Sequence, residues 1–252
     1  MVKVLSVANV KGGVAKSISA MFFANIMADR GNKVLLIDID SQNSLTSFYI
    51  NNYVDIENNT IFELLLGKVS IENTIRHLRH NLDFIPADIM LNNLTLQLTE
   101  NRDYKLYIIL GYIKDRYNYI IIDTPPNLHI ETKLSLVNSN IVIIPTLLEK
   151  WAVRSIDIIL NYIRYKNIEL QKLVNVQLEK ILIVPTLLEK NRKLQTIILH
   201  ELEEKYPDMV TKGVSKKVDV QKLSYIGPKF DLKKLYTYKE YELILDNFIF
   251  NS

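Results

Sequence analysis

Six short, mostly β-branched apolar runs, at residues 2–8, 34–39, 82–85, 119–122, 141–144 and 181–184, constrain this chain more than any other feature. They lack the alternation of a half-solvated strand, so each reads as a strand covered on both faces, as in a parallel sheet buried between helices. Segments 19–29, 104–116 and 155–165 supply such helices. In the first, Met21, Phe22, Ala24, Ile26 and Met27 recur at near three- and four-residue spacing. Strand and helix in alternation predict an α/β fold: a doubly wound, mostly parallel sheet with helices on both faces. Gly31-Asn32 predicts the end of the first helix and the turn into the second strand. With 252 residues, 48% of them hydrophobic, the chain can bury such a core as one domain spanning residues 1–252.

Composition removes several classes of protein. There is no cysteine, so disulfides and thiolate-ligated zinc or iron-sulfur centres are excluded, which fits a reducing cytoplasm. The opening M-V-K-V-L-S-V-A is too short an apolar run for a signal peptide, and nowhere do about 18 apolar residues run uninterrupted. A soluble, cytoplasmic protein with no membrane partner is expected. The net charge of +3 is uneven: residues 1–149 hold 13 Lys and Arg against 15 Asp and Glu, and residues 150–252 hold 18 against 13. That C-terminal surplus reads either as ordinary solvated lysine or as a footprint for a polyanion such as DNA.

The chemistry gathers at strand ends. K-G-G-V-A-K-S (Lys11, Gly12, Gly13, Val14, Ala15, Lys16, Ser17) lies between the first strand and the first helix, where backbone N–H groups and the helix N-terminus can cradle phosphates. There Lys16 would reach the terminal phosphates and Ser17 would ligate magnesium. The second strand ends V-L-L-I-D-I-D-S-Q and a later one Y-I-I-I-D-T-P-P. Asp123 is placed to hold magnesium through water, while Asp38 and Asp40 alternate in orientation and cannot share one role. An echo, I-V-I-I-P-T-L-L-E-K at 141–150 and I-L-I-V-P-T-L-L-E-K at 181–190, predicts two strands that reach a proline and then a loop at the same carboxyl edge.

K-G-G-V-A-K-S, V-L-L-I-D-I-D-S-Q-N-S-L-T-S and Y-N-Y-I-I-I-D-T-P-P-N together resemble the deviant Walker A, Walker A′ and Walker B segments of the ParA/Soj partition ATPases, in the ParA/MinD family with its P-loop NTPase-like fold. The likeness extends to I-V-I-I-P and L-E-K-W-A. It implies a plasmid or chromosome partition ATPase, nucleoid-associated, that uses ATP and Mg2+. It further implies a homodimer sandwiching ATP, non-specific DNA binding and stimulation by a ParB-like partner. By position, residues 11 to 18, ending in Ile18, bind nucleotide; Lys11 is the signature lysine that crosses the dimer and Lys16 the in-subunit phosphate lysine. Ser17 matches the magnesium ligand, Asp40 the residue that orients the attacking water, Asp38 a supporting magnesium-shell carboxylate and Asp123 the Walker B aspartate. The chain reaches its first strand at once, as in the short partition proteins without an operator-binding head.

Three positions depart from the family pattern. Ala15 replaces a glycine, Ile18 replaces a second hydroxyl, and Ser41 replaces a proline, which predicts weakened nucleotide binding and a looser loop around Asp40. The alternative function is therefore a hydrolysis-deficient scaffold of the same fold. For DNA, the candidates are Lys190, Arg192 and Lys193 at a loop-to-helix junction, and Lys216 and Lys217, where relatives carry P-R-N. His77 and His80, at i and i+3 on a predicted helix, would share a face but lack clear further ligands for a metal; Trp151 reads as core packing or, by resemblance, a dimer contact. Residues 235–248 predict a docked terminal helix rather than a basic membrane tail.

Overall fold

The apolar runs become β1 (Lys3–Val7), β2 (Val34–Asp38), β4 (Leu82–Ile85), β5 (Tyr119–Asp123), β6 (Ile141–Leu147) and β7 (Lys180–Thr186), joined by β3 (Arg76–Arg79). They form one seven-stranded sheet in the order β3-β4-β2-β5-β1-β6-β7. Every pairing is parallel except that of β3 with β4. The structure, a computed structural model, describes residues 2–50, 56, 58–99, 102–217, 220, 223, 227–228 and 230–250.

Because side chains alternate along a strand, each run divides its residues between two faces. Leu5, Val7, Leu36, Ile121, Ile143, Leu182 and Val184 meet α1 (Lys16–Asp29) and a terminal helix on one side. On the other, Val4, Leu35, Ile37, Ile120 and Ile122 meet α3 (Ile61–Leu65), α5 (Leu94–Gln97), α6 (Lys105–Gly111) and α7 (Ile130–Val137). Val142, Ile144 and Ile183 meet α8 (Ala152–Tyr162) and α10 (Lys193–Lys205) on that same side. Both faces are thus covered, which is why the runs carry no polar alternation. The short helices α2 (Ser44–Tyr49), α4 (Ile71–Thr74) and α9 (Ile168–Leu173) complete the connections.

Helix α1 starts three residues earlier than its apolar spacing suggests, because it begins at the loop lysine. It ends as expected: Gly31 takes φ 84°, and the Asn32 backbone N–H and side-chain amide both donate to the Met27 carbonyl. The terminal segment is a docked helix, α11 (Tyr236–Leu245), followed by a wider turn at Asp246–Phe250. Tyr241 stacks on Phe22 with ring centroids 5.0 Å apart and meets the edge of Phe23 at 5.1 Å. Arg30, at the end of α1, binds Glu242 and Asp246, and the hydrogen bonds to those carboxylates push its pKa up.

Two expectations are corrected. His77 lies in strand β3 and His80 in the turn that follows, not on a helix, because residues 76–85 form an antiparallel hairpin. Alternation in a strand separates neighbours that helical spacing would have joined, and His77 Nδ1 instead meets Asp83 Oδ1 at 2.8 Å. No group able to hold a metal through three His, Cys, Asp or Glu side chains occurs among the described residues. Trp151 is 55% exposed, so it is no core residue; Lys150 Nζ sits 5.2 Å from its ring centroid. No helix among the described residues is long and apolar enough to cross a membrane.

Candidate functional site

The loop between β1 and α1 is tied to the sheet at both ends. Asn9, fully buried, donates through Nδ2 to the Pro145 carbonyl at 2.8 Å and accepts the Lys11 backbone N–H at 3.0 Å. At the far end, Thr186 Oγ1 donates to the Val14 carbonyl at 3.1 Å. Pro145 and Thr186 belong to the two copies of the echoed P-T motif, at the ends of β6 and β7. The sequence showed the echo without its purpose, which is to brace this loop. Gly13 takes φ 73°, and Ala15 takes φ 65° and ψ 34°, the left-handed region that favours glycine.

Behind the loop stands a buried charged group. Lys16, 7% exposed, donates through Nζ to the Lys11 carbonyl at 3.0 Å. Burial lowers its pKa, and Asp123 and Asp40 pull it back up. Register in the sheet places Asp38 opposite Asp123, and both are fully buried. Burial raises Asp123 well above the usual carboxylate range and Asp38 adds to that; the Ser17 hydroxyl lies close enough to offset part of it. Neither Asp123 oxygen has a hydrogen-bond partner of ordinary geometry.

Asp38 is engaged instead in shaping the loop after β2. Its Oδ1 accepts the Asp40 backbone N–H at 3.1 Å, and its Oδ2 accepts the backbone N–H and hydroxyl of Thr46 at 2.9 and 2.8 Å. Burial nevertheless pushes its pKa up to about 6. Asp40 Oδ1 accepts from the Gln42 N–H at 2.9 Å, and Ser41 Oγ donates to Asn92 Oδ1 at 2.8 Å. Ser41 thus gives the loop a side-chain tether, in place of the looseness expected of it. The burial of Asp40 raises its pKa, against the pull of Lys16. Sequence reasoning missed Glu131, in the first turn of α7. It is 7% exposed, its Oε2 has no partner, and its pKa rises by burial, with the Asp40 charge a lesser cause.

Lys11 is not brought into this group. Its ammonium pairs with Glu149, in the loop after β6, and both side chains are partly exposed. Such a pair is worth about 0–1 kcal/mol and opens readily. Gly12, Gly13, Ala15, Lys16, Ser17, Ile18 and Asp40 do converge, on a cleft of about 720 Å3. Lys216 and Lys217 line the same cleft. Lys216 and Arg192 both pair with Glu189, at 2.8 and 3.4 Å, so the two DNA-candidate segments meet around one carboxylate. Lys217 Nζ lies 4.8 Å from the Tyr236 ring centroid. Lys190 and Lys193 are exposed and form no ion pair among the described residues.

A buried lysine and a glycine-bearing loop that opens a helix onto a cleft suit a polyphosphate, and they place the chain among the P-loop NTPases. Residues 2–180 match the AAA domain family. The sporulation initiation inhibitor protein Soj of Bacillus subtilis is 32% identical over 217 residues, 85% of this chain and 84% of its own. The chromosome partitioning protein ParA of Caulobacter vibrioides is 28% identical over 218 residues, 84% and 79% of the two chains. A Borrelia burgdorferi protein assigned to plasmid partition, solved bound to AMPPNP, is 36% identical and superposes with a TM-score of 0.84 over 98% of each chain. The chain belongs to the ParA/Soj family of partition ATPases.

Proposed function

We propose that this chain binds ATP with Mg2+ at the carboxyl edge of its sheet and hydrolyses it as a dimer, bound to DNA in the cytoplasm, to distribute a replicon. One observation carries the reading: Gly12, Gly13, Ala15, Ser17 and Asp40 line one cleft with the buried Lys16, although alanine stands at position 15. AMPPNP in the Borrelia relative supports the nucleotide. An all-oxygen set with an unpartnered buried carboxylate suits Mg2+. Ser17 and Asp123 would hold it, with Asp38 supporting them by charge, and when bound it would neutralise phosphate oxygens.

The side chains then divide the remaining work. Loop N–H groups and Lys16 bind and orient the phosphates, while Asp40 aligns the attacking water, so catalysis is positioning plus electrostatic stabilisation. Lys11 leaves Glu149 and reaches the phosphates of a second protomer. Loss of the γ-phosphate removes what that lysine holds, which couples turnover to dissociation. A ParB-like partner accelerates this step.

Phosphate release measured with and without DNA tests the reading, with Ala15→Gly run alongside. Turnover in the native chain is expected. Turnover only in the glycine variant would instead identify a hydrolysis-deficient scaffold, and none in either would remove the ATPase assignment. For DNA, binding to duplexes of unrelated sequence is expected to be equal and to weaken steeply with salt. Replacing Lys190 and Lys193 by alanine should lower the slope of log K against log salt by about 2. An unchanged slope would move the DNA surface elsewhere.

A further inference from the structure

Ala15 holds a conformation that costs an L-residue about 1–2 kcal/mol, and such strain persists only where the surroundings over-determine it. The surroundings here are specific. The carbonyl on one side of Ala15, that of Val14, accepts from Thr186. Its own carbonyl accepts twice from Ser19, from the backbone N–H at 2.9 Å and from Oγ at 2.8 Å. Ser19 Oγ in turn lies 2.8 Å from the Tyr241 hydroxyl, and both residues are almost fully buried.

The direction of this chain of hydrogen bonds follows from its end. A carbonyl only accepts, so the single serine proton goes to Ala15, and Tyr241 must donate to Ser19. Burial keeps the phenol protonated by pushing its pKa up. The Tyr241 ring is fixed independently by its contacts with Phe22 and Phe23, so its hydroxyl is aimed before the serine is considered.

We infer that Tyr241, on the terminal helix, is a positioning residue for the phosphate loop: through Ser19 it fixes the Ala15 peptide and supplies the constraint that lets alanine serve where glycine is usual. The inference rests on the nucleotide reading above and adds to it a remote determinant, more than 200 residues away in sequence. Glycine reaches the same backbone shape without help, so the dependence on Tyr241 should vanish when residue 15 is glycine.

A double-mutant cycle tests this. Titration with a fluorescent ATP analogue and Mg2+ should show Tyr241→Phe binding about fivefold more weakly than the native chain, the worth of one hydrogen bond. In an Ala15→Gly background the same change should cost less than about twofold, a rescue that a merely structural tyrosine would not show. Ser19→Ala should behave in parallel, which guards against a phenylalanine variant that folds poorly. Equal losses in both backgrounds, or no loss in either, would overturn the inference. Should neither background bind nucleotide, the nucleotide reading fails by itself. Urea midpoints of the nucleotide-free cycle then decide the relay: non-additive changes support it and additive ones overturn it.

Discussion

Lys16→Met is expected to weaken ATP binding by about 100-fold or more and to destabilise the nucleotide-free protein by about 3 kcal/mol. The two effects have one source. Lys16 is 7% exposed and offsets the charge of Asp123 and Asp40 from within the sheet edge. Methionine fills nearly the same volume, so packing changes little, yet it leaves buried carboxylates without their cation and the Lys11 carbonyl without its donor. Arginine should not rescue it: the planar fork is wider than an ammonium and cannot occupy the same enclosed position. Nucleotide titration and urea unfolding of the three proteins check this. An affinity within about threefold of native would mean that phosphates are held by the loop backbone alone.

Most of this arrangement is legible in the sequence because it is written in short local patterns. A strand buried on both faces must be apolar throughout, so β1, β2, β4, β5, β6 and β7 announce themselves. An aspartate directly after such a run is at a strand end, and parallel strands bring their ends to one edge. That logic brings Asp38 and Asp123 to one edge; that they stand opposite each other follows from the pairing of β2 with β5. It fails at β3, whose R-H-L-R carries no apolar continuity and is a strand only because β4 offers it an edge.

What the sequence hides is contact across long separations. Nothing local says that Pro145 and Thr186 grip the two ends of the phosphate loop, or that Tyr241 reaches Ser19. The echo was a signal for the first of these, since two copies of P-T at the ends of adjacent strands must face the same neighbours. Lys11 shows the converse case. The family resemblance assigns it to a partner's phosphates, whereas in the structure its ammonium pairs with Glu149.

Asp123→Asn should move stability and function in opposite directions. Neither oxygen of Asp123 has an ordinary hydrogen-bond partner, and Asp38 stands opposite in the sheet. Removing this buried titratable group should stabilise the nucleotide-free protein at pH 7 by about 2 kcal/mol. The pH dependence fixes the cause. Burial raises the folded pKa of Asp123 well above its ordinary 3.8, so the native state holds a proton that the unfolded chain has released. The associated stability is fully present below 3.8 and is lost as pH rises through the window up to the folded value. Asp38 adds a share between 3.8 and about 6. The advantage of asparagine should therefore shrink toward zero as pH falls to 3.8. The same variant should hydrolyse ATP about 100-fold more slowly or worse, because an amide cannot help hold Mg2+ beside Ser17. Urea midpoints across pH and single-turnover hydrolysis read the two effects separately. A variant that is both less stable and fully active would mean that Asp123 is a structural carboxylate whose partner lies elsewhere.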